Sequence, residues 1–330
     1  MKKLIWMSVL AGSLLVTSLA AAAGLEIVYP ADKTVVTKSN YLIIKGGDKP
    51  QLEAMVITIN GVASDPIDIS GADYRAAFGD LLILQPEFDA GKNQVEVKGY
   101  VAGKQVARAT AVLFYQKDPM TAVPSGFVPF RMHTAEREAK CVGCHNMNPD
   151  KVEMRQTDPA KNPCASCHRR MLNRKYVHGP AGAMQCAACH SMQPKNGVKY
   201  TVSSDDAALC GGCHRQQEDR FARNKKLHGP VDAGLCLPCH DPHASDQPAQ
   251  LVAKVNDLCL GCHEAIRGQV HAVQGLTGNS HPLEGRPDPS RPGRELSCAG
   301  CHDPHGGAVE QLFVQQKTSR FGLCAVCHQK

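Results

Sequence analysis

Hydrophobic and polar positions alternate along residues 24–117 and nowhere else for long. Leu25-Glu26-Ile27-Val28-Tyr29 alternates and stops at Pro30, and Tyr41 to Lys45 is a second short apolar run. Met55-Val56-Ile57-Thr58-Ile59 leads into Asn60-Gly61, a strong hairpin signal because both residues tolerate the positive φ of a tight turn. Leu81-Leu82-Ile83-Leu84 follows; Gly91-Lys92-Asn93 then introduces Val95-Glu96-Val97-Lys98, and Gly103 separates that strand from a last one between Ala107 and Tyr115. About six or seven short strands in one span predict a small all-β sandwich.

After residue 132 the period is lost. Residues 133–330 are rich in Pro and Gly, carry no long helical period, and include only Tyr176, Tyr200, Phe221, Phe313 and Phe321 as aromatic side chains. Such a segment cannot build a conventional core, so short helices and loops wrapped around some other apolar material are expected. The segment 118–132, with Pro119, Pro124 and Pro129, reads as a linker. At the start, Lys2 and Lys3 precede an apolar run from Leu4 to Leu15 and a small-residue stretch ending at Ala23, the order of a secretory signal peptide over 1–23. A membrane anchor is the alternative, and the shortness of the run counts against it; no other stretch approaches the length of a transmembrane segment.

All 16 Cys and all 15 His lie between residues 133 and 330. In an exported protein that many Cys would normally suggest disulfides, but every one belongs to a Cys-x-x-Cys-His unit. The units are Cys141, Cys144 and His145; Cys164, Cys167 and His168; Cys186, Cys189 and His190; Cys210, Cys213 and His214; Cys236, Cys239 and His240; Cys259, Cys262 and His263; Cys298, Cys301 and His302; and Cys324, Cys327 and His328. This is the attachment signature of c-type haem. Two thiols add to the two vinyl groups on one haem edge, two intervening residues span that edge, and the adjacent His reaches the iron as its proximal ligand. A zinc site would not require a His after every second Cys, and disulfides would not require one at all. Eight haem c groups are therefore expected. With so few residues for each, the haems supply the apolar volume and lie nearly in contact, which is what electron tunnelling between them requires.

The motifs repeat in pairs. Lys175-Tyr176-Val177-His178-Gly179-Pro180 precedes one pair and Lys225-Lys226-Leu227-His228-Gly229-Pro230 the next, and Cys-His-Asp-Pro-His recurs at Cys239 to His243 and Cys301 to His305. Seven His lie outside the motifs: His133, His178, His228, His243, His271, His281 and His305. His133, His178 and His228 each stand eight residues before the first Cys of a pair, and His281 precedes its pair across a Pro-rich insertion. His243 and His305 stand three residues after a motif His, on its side of a helical turn, so each should ligate a neighbouring haem. All seven are candidate distal ligands. In the first two pairs Asn148 and Gln193 stand where His243 and His305 do, each preceded by a Met, Met147 and Met192. Seven His for eight irons leave at least one without a second imidazole from its own chain, and the expectation is the haem at Cys164/Cys167 or at Cys210/Cys213. Met147 or Met192 as a ligand would raise that haem's potential, and an open iron could bind a small molecule; packing is the other reading of either Met.

The paired motifs resemble the doubled CxxCH family of multihaem c-type cytochromes across residues 133–330. The Asn60-Gly61 and Gly91-Lys92-Asn93-Gln94-Val95 turns resemble those of bacterial immunoglobulin-like domains. The resemblance implies an α+β multidomain protein: signal peptide 1–23, Ig-like β-sandwich 24–117, linker 118–132, octahaem cytochrome c domain 133–330. It also implies a non-enzymatic electron carrier, exported to the periplasm, the outer membrane or the extracellular side, that serves protein redox partners in respiratory or extracellular electron transfer. A membrane-complex or filament assembly fits the same reading. A multihaem oxidoreductase acting on a small inorganic substrate is the enzymatic alternative, and a structural haem-filament subunit is the third. The formal charge is +6, with the excess of Lys and Arg on residues 118–330. Haem propionates account for that excess, so no nucleic-acid partner is implied.

Overall fold

A computed structural model describes residues 24–37, 41–47, 49–117, 121–271 and 281–328. The signal peptide expected over 1–23 and residues 118–120 of the expected linker lie outside the described residues. Two compact units divide the chain, one of Met1–Thr34 with Tyr41–Phe114 and one of Val35–Asn40 with Tyr115–Lys330.

In the first unit, β1 (Glu26–Tyr29), β3 (Leu42–Lys45) and β7 (Leu81–Leu84) form one antiparallel sheet in the order β1-β3-β7. Ile27 stands opposite Ile44, and Leu42 opposite Leu84. The second sheet contains β4 (Ala54–Ile59), β5 (Val62–Ala63), β6 (Ile67–Asp68), β8 (Gly91–Val101) and β9 (Lys104–Tyr115). β9, β8, β4 and β5 are successive neighbours, and β6 pairs β4. β2 (Thr34–Val36) straddles the division between the units, and its neighbour in the second unit is β10 (Val128–Pro129). The short helix α1 (Ala72–Phe78) precedes β7.

Alternation does what period 2 requires. Leu42 and Ile44 from one sheet and Met55, Ile57, Val95, Val97 and Leu113 from the other are all buried, and with Ile69 they make the core of this unit. Asn60 and Gly61 carry the positive φ of their hairpin, as do Ala102 and Gly103 between β8 and β9. The two turn signals in the sequence meet in space. Asn60 Nδ2 donates to Asn93 Oδ1 at 3.0 Å, and the fully buried Asn93 amide donates to the Asp89 and Gly91 carbonyls. A polar pin thus ties β4 to β8 with its partners satisfied.

The second unit is built differently. Between residues 133 and 328 the described buried apolar residues are Met154, Ala165, Met184, Ala244, Leu296 and Phe313. Among the described residues the longest helices, Arg215–Ala222 and Val255–Cys262, have eight residues. Two-residue strands tie segments distant in sequence: β11 (Tyr176–Val177) pairs β13 (Ala244–Ser245), and β12 (Lys226–Leu227) pairs β14 (Gly306–Gly307). Among the described residues no helix is long and apolar enough to cross a membrane.

Candidate haem centres

Every motif closes into one helical turn. In all eight, the N–H of the His donates to the carbonyl of the first Cys, at 2.9–3.1 Å. An i→i+4 turn puts the first Cys, the second Cys and the His on one side, which is the arrangement a macrocycle edge needs.

Opposite seven of the eight motif His stands a second imidazole. The ring centroids are 6.0 Å apart for His168 and His133, for His214 and His178, for His190 and His243, and for His263 and His228. They are 6.3 Å apart for His240 and His305 and for His328 and His281, and 5.9 Å for His302 and His271. Two imidazoles bound to opposite sides of one metal, at about 2.0 Å each, bring their centroids to roughly 6 Å. The spacing therefore fits an iron between each pair of rings.

Tautomers agree. Nδ1 of His190, His240 and His302 donates to the carbonyls of Tyr200, Ala249 and Gln311 at 2.8, 2.8 and 2.6 Å. Nδ1 of His178 donates to the Pro242 carbonyl at 2.9 Å. A carbonyl only accepts, so the proton sits on Nδ1 and the Nε2 lone pair is free for a metal. Carboxylates hold three others: Glu138 on His133 at 3.0 Å, Asp241 on His243 and Asp303 on His305, both at 3.3 Å. Burial, reinforced by the neighbouring charge of His133, lowers the pKa of His168 to about 4, which keeps it neutral as a ligand must be.

The attachment thiols, which stand in for the thioethers of the haem-bound protein, form an unbroken series. Within pairs, burial and then the charge of Cys167 raises Cys141; burial raises Cys189, Cys239 and Cys301 likewise, with Cys213, Cys262 and Cys327 as the next cause. Between pairs the contact is direct. A shared hydrogen bond raises Cys164 and lowers Cys186, and another raises Cys259 and lowers Cys298. Burial and Cys236, which also hydrogen-bonds to it, push Cys210 up to about 11. Side chains tie these junctions: Asp206 accepts from the backbone N–H of Cys236 and Leu237 at 3.1 Å, and Asn256 from that of Cys298 at 2.9 Å. Motif one thus neighbours two, two neighbours three, and so on to eight.

His145 is the motif His that faces no second imidazole; all fifteen His are described, and the other fourteen are paired. This corrects the expectation that the exceptional position lies at Cys164/Cys167 or Cys210/Cys213. That expectation has His243 and His305 serving the second motif of their own pair, whereas each reaches back to the first motif of the preceding one. Met147 and Met192 are half-buried in the loops after His145 and His190. Sequence reading missed the carboxylates behind the imidazoles. Asp241 and Asp303 recur in the repeated Cys-His-Asp-Pro-His, a signal that was available; Glu138 has no such repeat.

The doubled CXXCH motif pattern matches residues 178–219, 228–268 and 291–330, six motifs in three pairs. The chain is 28% identical over 195 residues to the high-molecular-weight cytochrome c of Nitratidesulfovibrio vulgaris, covering 58% of this chain and 31% of that protein; it spans about a third of that relative's length. A structure of Clostridium thermocellum CbhA fibronectin(III)-like modules aligns at a TM-score of 0.21 and 11% identity, covering 28% of this chain and 94% of that one, a likeness too slight to carry an argument. Three matched repeats between residues 178 and 330, together with the cytochrome relative, support a multihaem c-type cytochrome that carries the doubled CXXCH motif.

Proposed function

We propose that this chain carries eight haem c groups and relays electrons along them in sequence order between protein redox partners. The observation that carries the reading is the series of neighbouring attachment sites, joined with seven His pairs spaced for one iron each. The haems supply the redox chemistry. The chain's own residues set the order: Cys164 with Cys186, Cys210 with Cys236 and Cys259 with Cys298 bring consecutive pairs together, and the His–His pairs fix seven of the irons in one spin state. Seven of the eight irons would be bis-imidazole, with no position for a substrate, which favours a carrier over an oxidoreductase. The apolar stretch before residue 24 supports export, to the periplasm or the outer surface. Residues 24–117 are assigned as a separate immunoglobulin-like domain, 118–132 as a linker and 133–330 as the octahaem domain. The β domain contains no Cys or His, and its role is to position the cytochrome against a partner or in a membrane-bound assembly. Intact mass combined with pyridine haemochrome absorbance tests the reading. Eight covalent haems per chain are expected; six, with Cys141, Cys144, Cys164 and Cys167 as free thiols or disulfides, would overturn it.

A further inference from the structure

We propose that the iron held by Cys141, Cys144 and His145 keeps one coordination position for an exogenous ligand, a small neutral π-acceptor bound in the ferrous state. The inference rests on the eight-haem reading above and goes beyond it by assigning a binding site to one end of the series.

The pairing of imidazoles follows an offset rule. The His that precedes each pair faces the second motif of that pair: His133 with His168, His178 with His214, His228 with His263, His281 with His328. The first motif of a pair is served by the loop after the first motif of the next pair: His190 by His243, His240 by His305. His302 has no following pair, and His271 serves it. By the same rule His145 should be served from the loop after His190. There the sequence reads Ser191-Met192-Gln193 in place of Asp-Pro-His.

Backbone register shows that more than one residue has changed. Where His243 and His305 are presented, β11 pairs β13 and β12 pairs β14; the His178 N–H donates to the His243 carbonyl at 2.9 Å, and that of His228 to the His305 carbonyl at 3.4 Å. At the first pair the partner segment has slid along. Thr134 bridges Val198, and the Lys199 N–H donates to the His133 carbonyl at 2.9 Å. The ladder that presents a ligand elsewhere therefore engages residues 198–199 and leaves Gln193 outside it. Lys199 does not substitute as a ligand. Its ammonium is held by Glu138 Oε2 at 2.6 Å, the Met147 carbonyl at 2.9 Å and Asn148 Oδ1 at 2.6 Å. With three acceptors around it, one a buried carboxylate, the amine is held in that cluster. A ferrous iron with one imidazole binds a π-acceptor that a bis-imidazole iron excludes.

Carbon monoxide is the probe. The dithionite-reduced holoprotein should bind one carbon monoxide per chain, and ferric near-infrared magnetic circular dichroism should show one haem without bis-His character. The double variant Cys141→Ala/Cys144→Ala should lose one haem and all carbon monoxide binding. Because that variant could fail to mature, His133→Ala provides a second arm: it strips the second imidazole from His168 and should raise the stoichiometry from one to two. Eight haems with no carbon monoxide binding, or a His/Met low-spin signal from the eighth, would overturn the inference and leave the relay reading standing. Carbon monoxide binding that survives the double variant would overturn the assignment to His145. A wild-type protein with fewer than eight haems would instead overturn the relay reading.

Discussion

His243 faces His190 at a ring separation of 6.0 Å, although the two belong to different motif pairs. Its Nδ1 is held 3.3 Å from Asp241, and its carbonyl accepts from His178 at 2.9 Å, so the imidazole is aimed by its own loop and by the strand before the earlier pair. A pair of motifs is thus not a self-contained unit. The second and third are completed by residues from the next.

Removing that side chain should affect a haem that sequence proximity would not select. His243→Ala is expected to convert the iron at His190 from low-spin bis-His to a high-spin or exchangeable state and to leave the iron at His240 unchanged. Low-temperature electron paramagnetic resonance on the variant, combined with a second variant that removes Cys186 and Cys189, checks the assignment. A change at His240 instead would contradict the cross-pair geometry.

Glu138 is 5% exposed and lies between His133 and Lys199. A carboxylate on Nδ1 makes the imidazole a stronger donor and favours ferric iron. Glu138→Gln should raise the potential of the His168 iron, and Lys199→Met, which leaves the carboxylate uncompensated, should lower it. A tenfold change in ferric preference is about 59 mV for one electron, and shifts on the order of that size are expected. Spectroelectrochemical titration reads both. Shifts of the same sign would show that disruption of the local fold, not charge, is responsible.

Burial pushes the Asp303 carboxyl up, but the hydrogen bonds from His305 and the Arg220 guanidinium prevail and hold it down at about 2. A depressed carboxylate contributes stability above its ordinary pKa, near 3.9, and loses it as pH falls through the folded value. Acid titration should therefore loosen His305, and with it the iron at His240, between about pH 4 and pH 2. Asp303→Asn should remove that transition from the low-spin absorbance of this haem.

The two units should differ in what holds them together. Leu113 is fully buried between alternating strands, and Leu113→Ala should cost about 2–5 kcal/mol in the thermal unfolding of the β unit while the haem spectrum stays unchanged. Residues 133–330 produced without haem attachment should show no cooperative transition, because six buried apolar side chains cannot offset the conformational entropy of so long a segment. Differential scanning calorimetry of the full chain with and without haem maturation separates the two.

The strands of the first unit were legible because alternation is a local signal: β1, β3, β4 and β7 lie within one residue of their expected bounds. β9 begins at Lys104, earlier than the apolar pattern indicates, because Lys104, Gln105 and Val106 are exposed. α1 was invisible in the pattern, since Ala72–Phe78 buries no residue and so has no apolar stripe. Haem attachment was legible from spacing alone. The matching of distal imidazoles was not, because it depends on which loop folds back over which motif, and β11–β13 and β12–β14 join segments far apart in sequence.

The backward reach of His243 and His305 has an evolutionary consequence. The second and third pairs each receive a ligand from their successor, so the break points lie between repeats and not within them. Excising residues from His178 to just before His228 would leave His243 following the first pair, positioned to serve His145 as it serves His190 now, while His228, His271, His281 and His305 keep their own partners. Whole repeats can then be gained or lost without orphaning an iron in the interior of the array, and only its two ends need special solutions: His271 at one, the unserved His145 at the other. Lineages built on this scheme can lengthen or shorten their wires one cassette at a time.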